Sequence, residues 1–140
     1  MKVAVIERAR FGGTCVNTGC IPTKTMVASA YATHMARRAS EYGVAVAGSV
    51  TVDMKQVKAR RDRISGTSNK SVETRLKNTA NCVVYEGHAR FESARKVFVG
   101  DVRLSAERVF INVGGRALVP QIPGLDGIPY LTNSSIMEID

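Results

Sequence analysis

Residues 12–24 carry two closely spaced cysteines, and this segment constrains the fold more than any other part of the chain. Cys15 and Cys20 are separated by a short stretch that includes Asn17 and Gly19. Asn and Gly tolerate the backbone conformations of tight turns. A turn here can bring two Cα atoms within the ~4.4–6.8 Å that a disulfide requires. The spacing therefore allows the two sulfur atoms to react with one another.

A helix is predicted to begin at the second cysteine. Thr18 is a suitable N-cap, and Pro22 falls in the first turn, where a missing N–H has no energetic cost. Cys20 would then lie at the positive end of a helix dipole. Such a position favours the thiolate, which is the reactive form of cysteine.

Three interpretations of the cysteine pair are open from spacing alone: a redox dithiol, half of a metal site, or a structural pair. A zinc site needs four ligands, and the remaining candidates, Cys82, His34 and His88, are scattered along the chain. We therefore predict no metal ligands.

The run GGTCVNTGCIPTK, residues 12–24, closely resembles the redox-active segment of the class I pyridine nucleotide–disulfide oxidoreductases. This family includes glutathione reductase, dihydrolipoamide dehydrogenase and mercuric reductase. Residues 25–30, which follow this run, are slightly more similar to the mercuric-reductase-like members than to the others. The resemblance extends over almost the whole chain, but over only part of the family architecture.

The resemblance implies a flavoenzyme in which electrons pass from NAD(P)H through FAD to a Cys15–Cys20 disulfide, and then to a substrate. Cys20 would be the thiol nearer the flavin, and Cys15 the interchange thiol that meets the substrate. Lys24 would lie near the flavin, where a positive charge favours the reduced ring, although an exposed helical lysine is also compatible with the sequence. The substrate would be a small disulfide, a metal ion or another oxidant.

The resemblance also assigns residues to the FAD site. They are Glu7, Gly12, Gly13, Thr14, Ala89 and Gly114. Glu7 ends an apolar run, at the position where a Rossmann-type domain holds the adenosine ribose. Gly114 follows the predicted strand 109–113, in which Val113 lacks the hydroxyl of the family's usual threonine.

Composition narrows the class of protein. The chain has 140 residues, a net charge of +8 and three cysteines. No apolar run is long enough to span a membrane, and neither a signal peptide nor a disulfide-rich secreted pattern is present. We therefore expect a cytoplasmic protein with no membrane partner. By resemblance, the parent enzyme would be a homodimer.

The predicted fold class is α/β: a partial Rossmann-like FAD-binding domain over residues 1–140, with a parallel sheet, helices and a small antiparallel excursion. Buried strands are expected at 2–6 and 109–113, a strand with a buried Cys82 at 82–85, and a hairpin at 96–105 with Gly100 in its turn. Helices are expected from Cys20 to Ser40 and from Asp53 to Asn78.

The first βα unit of the family, with its G-x-G-x-x-G turn, is missing before the first predicted strand, as are the pyridine nucleotide and C-terminal interface domains. We expect a fragment, or a chain whose start is misplaced, that is inactive alone. A small zinc module is an alternative. The basic 53–78 helix could also bind nucleic acid, but it lacks the aromatic residues that stack on bases, and we predict no nucleic-acid partner.

Overall fold

Two separate sheets organise the described residues, 1–139, of the computed structural model. In the first sheet, β1 (Val3–Glu7) pairs in parallel with β2 (Cys82–Glu86), with Val3 opposite Cys82 and Glu7 opposite Glu86. The second sheet is antiparallel, and its strands, in spatial order, are β3 (Ala89–Ser93), β4 (Lys96–Val99) and β5 (Val102–Ser105). The predicted α/β class with a small antiparallel excursion is confirmed. Asp140, the last residue of the predicted domain, lies outside the described residues.

Three α-helices join and cover these strands. They are α1 (Gly13–Asn17), α2 (Cys20–Arg37) and α3 (Met54–Lys77). As predicted, α2 begins at Cys20, and Pro22 lies in its first turn. A short 3₁₀ turn, Ala39–Tyr42, follows α2 and ends at Gly43, which has a φ of +73°. Gly43 is therefore in the left-handed conformation that commonly ends a helical segment.

Asp53 is the N-cap of α3, as predicted, and its carboxylate accepts a hydrogen bond from the Gln56 backbone N–H at 3.1 Å. The buried face of this helix is not its apolar stripe. Arg61 and Ser65 are its buried residues, whereas the apolar stripe, Val57, Ile64, Val72 and Leu76, is half-buried.

Arg61 is buried because the end of the described chain packs against it. Its guanidinium donates to the Met137 carbonyl oxygen and lies 3.4 Å from a Glu138 carboxylate oxygen. Lys58 donates to the Glu138 carbonyl oxygen at 2.8 Å. A short 3₁₀ turn, Ser135–Glu138, is thereby held against α3.

The prediction that residues 2–6 form a buried strand is half wrong. The strand exists, but Val3 is 43% exposed and Val83, on the neighbouring strand, is 54% exposed. The reason is that β1 pairs only with β2 in the described residues, so one of its edges and much of its surface face water. Cys82, expected to be buried, is half-buried.

Residues 109–113 do not form the predicted strand. Phe110 is 81% exposed and Val113 is 86% exposed. No backbone hydrogen bond to residues 107–119 occurs among the described residues. A strand exists only when its N–H and C=O groups pair with a neighbour. Within residues 1–139, this apolar segment has no such neighbour.

The predicted hairpin at 96–105 is present. Lys96 lies opposite Ser105 and Val99 opposite Val102, and Gly100 between them has a φ of +57°. Val97 and Val99 are two of the buried apolar side chains, and Phe11 is another. Burial of apolar surface is thus concentrated under β4 and beside the cysteine segment.

Candidate active site

The two cysteines lie at the junction of α1 and α2. Cys15 is the middle residue of α1, and Cys20 is the first residue of α2. The prediction that Thr18 caps α2 is wrong. The N-cap is Gly19, without a side-chain hydrogen bond, and Thr18 ends α1 by donating its N–H to the Thr14 carbonyl oxygen at 2.9 Å. The bend between the helices is therefore only two residues long, at Thr18 and Gly19.

Gly19 is required by the close approach of the two helices. A Cβ atom added there would lie 2.9 Å from the Thr14 carbonyl oxygen and 3.4 Å from the Cys15 Cα. Any other residue would push α1 away from the start of α2. Gly19 therefore keeps the cysteine-bearing turn close to the second cysteine.

Cys15 and Cys20 are exposed free thiols in this structure. The pKa of Cys15 is raised. The largest cause is hydrogen bonding with the Cys20 side chain, and smaller causes are partial loss of hydration and charge repulsion from Cys20. The Cys20 backbone N–H and the positive charge of Lys24 act in the opposite direction. The Cys15 sulfur therefore lies beside the first residue of α2 and within the electrostatic reach of Lys24.

Lys24 is exposed on α2, one helical turn after Cys20. This position accounts for its effect on Cys15, because residues four apart on a helix share a face. The structure thus brings together the three predicted catalytic residues, Cys15, Cys20 and Lys24.

Gly12 and Gly13 precede the cysteines with φ angles of +90° and +59°. A Cβ on Gly12 would lie 2.5 Å from a Val16 methyl carbon, so packing within α1 excludes a side chain there. A Cβ on Gly13 would meet no atom within 4 Å. Gly13 and the exposed Thr14 therefore present open backbone and a hydroxyl at the surface.

Glu7 ends β1 and is half-buried. Its Oε1 accepts the Ala9 N–H at 2.9 Å, and its carbonyl oxygen accepts the Gly87 N–H at 2.9 Å. Its Oε2 has no hydrogen-bond partner among the described residues. One carboxylate oxygen is thus available at the carboxyl end of the parallel sheet.

Ala89 and Gly114 differ in their placement. Ala89 begins β3, opposite Val99, and follows closely after Gly87, which bonds to Glu7. Gly114 lies in the exposed segment without backbone hydrogen bonds, with a φ of +69°. The structure links Ala89 to the Glu7 end of the sheet, and it describes no contact that brings Gly114 there.

Asn17 and Asn69 are site residues that sequence reasoning missed. Asn17 Nδ2 donates to the carbonyl oxygens of Phe11 at 2.9 Å and Gly13 at 2.8 Å. Asn69, on α3, donates to the Phe11 carbonyl oxygen at 2.7 Å and to Asn17 Oδ1 at 3.2 Å. The sequence carried no signal for Asn69, because Arg61 and Ser65, which precede it at intervals of four residues, are polar and are buried only by tertiary packing.

Several basic side chains of α3 are engaged within the chain. Arg60 donates to the Thr25 carbonyl oxygen on α2 at 2.9 Å. Lys77 binds Glu73 and Glu86, both at 2.6 Å, and these contacts raise the pKa of Lys77. The basic helix therefore serves in part to join α3 to α2 and β2.

Residues 1–139 contain neither a metal-binding cluster nor a membrane-spanning helix. No three His, Cys, Asp or Glu side chains in this range lie close enough together to hold a metal ion. Within the same range, the helices are too short or too polar to cross a membrane.

Comparison with known proteins shows which protein family this chain resembles. The family model described as pyridine nucleotide-disulphide oxidoreductase matches residues 1–138. Mercuric reductase of Bacillus cereus is 34% identical over 139 residues, which are 99% of this chain and 22% of that protein. Dihydrolipoyl dehydrogenase of Acholeplasma laidlawii is 36% identical over 124 residues, which are 89% of this chain and 37% of that protein.

Solved structures agree. The HOCl-induced flavoprotein disulfide reductase RclA from Escherichia coli superimposes with a TM-score of 0.75 and 27% identity, over 99% of this chain and 29% of that chain. The chain thus spans between 22% and 37% of the length of these three relatives. These matches confirm the resemblance first seen in residues 12–24. The chain therefore belongs to the pyridine nucleotide-disulphide oxidoreductase family.

Proposed function

We propose that this chain is the FAD-binding, dithiol-bearing part of a flavin-dependent disulfide oxidoreductase, with Cys15 and Cys20 as its redox pair. The observation that carries the proposal is the placement of two exposed free thiols at the α1–α2 junction, Cys15 within α1 and Cys20 at the first residue of α2. Membership of the family supplies the context. Catalysis by the whole enzyme would require more of the protein than this chain, which is expected to be inactive alone.

Thiol–disulfide exchange explains how the pair would act on a disulfide substrate. The Cys15 thiolate attacks one substrate sulfur, forms a mixed disulfide and releases the first substrate thiolate. The Cys20 thiolate then attacks the Cys15 sulfur, which closes the Cys15–Cys20 disulfide and releases the second substrate thiolate. Each step exchanges one S–S bond for another, so the rate depends on thiolate content and access.

The chain must therefore lower the cost of ionising Cys15. The Cys20 backbone N–H and Lys24 both act in this direction. Both cysteines are exposed, which gives a substrate access to them. The Cys20 side chain has the larger, opposite effect and raises the pKa of Cys15, so the backbone N–H and Lys24 offset only part of that cost.

The residues present fit FAD at one end of the site. Gly13 offers open backbone, and Thr14 an exposed hydroxyl, to a phosphate group. Glu7 Oε2 is available to a ribose hydroxyl, and Ala89 lies close by in the chain fold. Gly114 would join them only with the 109–113 segment in place. When bound, FAD would supply the electrons of reduced nicotinamide that return the disulfide to the dithiol.

The remaining parts of the proposal concern the whole enzyme. NAD(P)H would be the reductant, and a small disulfide, a metal ion or another oxidant the substrate. The named relatives include a mercuric reductase and a dihydrolipoyl dehydrogenase, which supports a soft-metal or dithiol substrate. The parent enzyme would be a cytoplasmic homodimer without nucleic-acid or membrane partners.

Differential alkylation tests the redox pair directly. The purified chain is oxidised with glutathione disulfide, alkylated, reduced and alkylated again with an isotopically distinct reagent. Mass spectrometry is expected to find Cys15 and Cys20 protected together until reduction, with Cys82 labelled in the first step. Cys82→Ser is the matched control and should leave this pattern unchanged, whereas Cys15→Ser should abolish it. Free reaction of both cysteines after oxidation would contradict the proposal.

A binding measurement tests the cofactor assignment. Titration of FAD with the chain, followed by flavin fluorescence, is expected to show binding that Glu7→Gln weakens. Glu107→Gln, at an exposed position in the segment without backbone hydrogen bonds, is the control. Equal binding by both variants would remove Glu7 from the site.

A further inference from the structure

The short helix that carries Cys15 needs support from outside its own sequence. The helix α1 has only five residues. Isolated helices shorter than about 12–15 residues are marginal in water, because nucleation is costly and few hydrogen bonds follow. The position of Cys15 must therefore depend on contacts that α1 makes with the rest of the chain.

Asn17 provides the first of these contacts. Its side-chain amide donates one N–H to the Gly13 carbonyl oxygen at 2.8 Å and the other to the Phe11 carbonyl oxygen at 2.9 Å. Both donors are used, so the side chain ties the last residue of α1 to the two carbonyls at its start. The remaining group, Oδ1, is free to accept a bond from elsewhere.

Asn69 completes the arrangement from α3. Its two N–H groups reach the Phe11 carbonyl oxygen at 2.7 Å and Asn17 Oδ1 at 3.2 Å. Each contact spans more than 50 residues of sequence. Phe11 itself is 7% exposed, so its carbonyl is held in a fixed place by the packed ring. Partly buried hydrogen bonds of side-chain amides, such as these, fix the relative positions of the groups that they join.

We propose that Asn69 is a positioning residue for the dithiol: through Asn17 and the Phe11 carbonyl, it holds α1 so that the Cys15 sulfur stays beside Cys20. This inference rests on the proposed role of Cys15 and Cys20 as a redox pair. It assigns to α3, which contributes no cysteine, control over how readily the disulfide forms.

The equilibrium with glutathione measures that control. One protein dithiol and one glutathione disulfide give one protein disulfide and two glutathione thiols, so the equilibrium constant reports the effective concentration of one thiol at the other. We expect Asn69→Ala to lower this constant five- to tenfold. A tenfold change in this two-electron couple corresponds to about 30 mV. Asn112→Ala, which removes an exposed amide, should not change it.

Two further variants separate positioning from stability. Asn69→Asp keeps the side-chain shape but offers no N–H at neutral pH, and it should lower the constant at least as much as Asn69→Ala. Asn69→Gln keeps both donors and should recover part of the loss. Circular dichroism and the alkylation rate of the half-buried Cys82 report whether each variant is folded, since general loosening would expose that thiol. If Asn69→Ala fails to fold, the isosteric Asn69→Asp decides the outcome.

The outcomes distinguish the two proposals. A native chain that forms no Cys15–Cys20 disulfide at any glutathione ratio contradicts the redox pair itself. A native disulfide with an equilibrium constant that stays within twofold in folded Asn69→Ala or Asn69→Asp contradicts only the positioning role of Asn69.

Discussion

The cysteine segment and the apolar segment at 109–114 were both expected to face the cofactor, yet only the first has a defined structure. Residues 11–25 form hydrogen bonds with one another and with two side chains of α3, Asn69 and Arg60. Residues 109–114 form no backbone hydrogen bonds among the described residues, although four of them are apolar or aromatic and none is charged. The difference is one of pairing. A helix satisfies its own backbone, whereas a strand needs a neighbour.

This comparison shows that apolar composition alone does not place a segment in a sheet. Residues 11–25 are less apolar, but each helical turn pairs its backbone N–H groups with carbonyl oxygens from nearby residues. The strand-like segment has suitable residues, but among the described residues no sheet edge lies beside it. Its conformation therefore depends on parts of the fold outside its own sequence.

The largest expected difference between the two regions concerns their glycines. Gly12→Ala should lower the free energy of unfolding by about 2–4 kcal/mol, because it combines a positive φ with overlap of the new Cβ and Val16. Gly114→Ala, also at positive φ but with open space around it, should cost about 1 kcal/mol or less. Urea denaturation of both variants measures the difference. Equal losses would mean that Gly114 is packed as tightly as Gly12.

Limited proteolysis should separate the same two regions by about tenfold in rate, because local opening controls cleavage. Trypsin is expected to cut first after Arg108 and Arg116, which are exposed in the segment without backbone hydrogen bonds. Cleavage after Lys24, within α2, should follow later. Mass spectrometry of early time points identifies the sites. Early cleavage at Lys24 would show that the cysteine segment is not the better-ordered region.

Because α3 supports the cysteine segment, removal of the N-cap of α3 should also lower the stability of the chain, by less than Gly12→Ala does. Asp53→Ala removes the carboxylate that accepts the Gln56 N–H and should cost about 1 kcal/mol. Asp126→Ala, at an exposed carboxylate outside the α-helices, is the control and should cost nothing measurable. Thermal melting of the two variants checks this. A silent Asp53→Ala would indicate that tertiary contacts alone hold the first turn of α3.

The smallest expected effect is a shift in the pH dependence of Cys15 alkylation. Since hydrogen bonding and charge repulsion from Cys20 raise the pKa of Cys15, Cys20→Ala should move the alkylation profile to lower pH. Since Lys24 lowers the same pKa, Lys24→Met should move the profile to higher pH. Rates of reaction with iodoacetamide, followed from mildly acidic to alkaline pH, measure both shifts. Shifts of the same sign would contradict this arrangement of charges around Cys15.

Features that depend on local chemistry were predictable. The Asp53 cap, the start of α2 at Cys20 and the turn at Gly100 follow from hydrogen bonding and backbone conformation over a few residues. The motif at 12–24 identified the family because its cysteines, glycines and proline occur together. For the same reason, Cys15, Cys20 and Lys24 could be named as the candidate catalytic residues.

Features that depend on distant partners were not predictable. Thr18 is an acceptable N-cap by its chemistry, but the approach of α1 to α2 leaves Gly19 in that position. Arg61 is charged, yet it is buried because Met137 and Glu138 fold back onto α3. Burial on β1 also depends on which elements cover it.

The sequence by itself determined α2, α3, the hairpin and the chemical identity of the dithiol, since each depends on neighbouring residues. Only the tertiary structure decided how the dithiol is held, through Asn69 on α3, and that residues 109–113 remain exposed. The physical reason is shared by both. Whether two distant residues form a hydrogen bond depends on which segments the fold brings together. The helix and strand propensities of individual residues do not determine this.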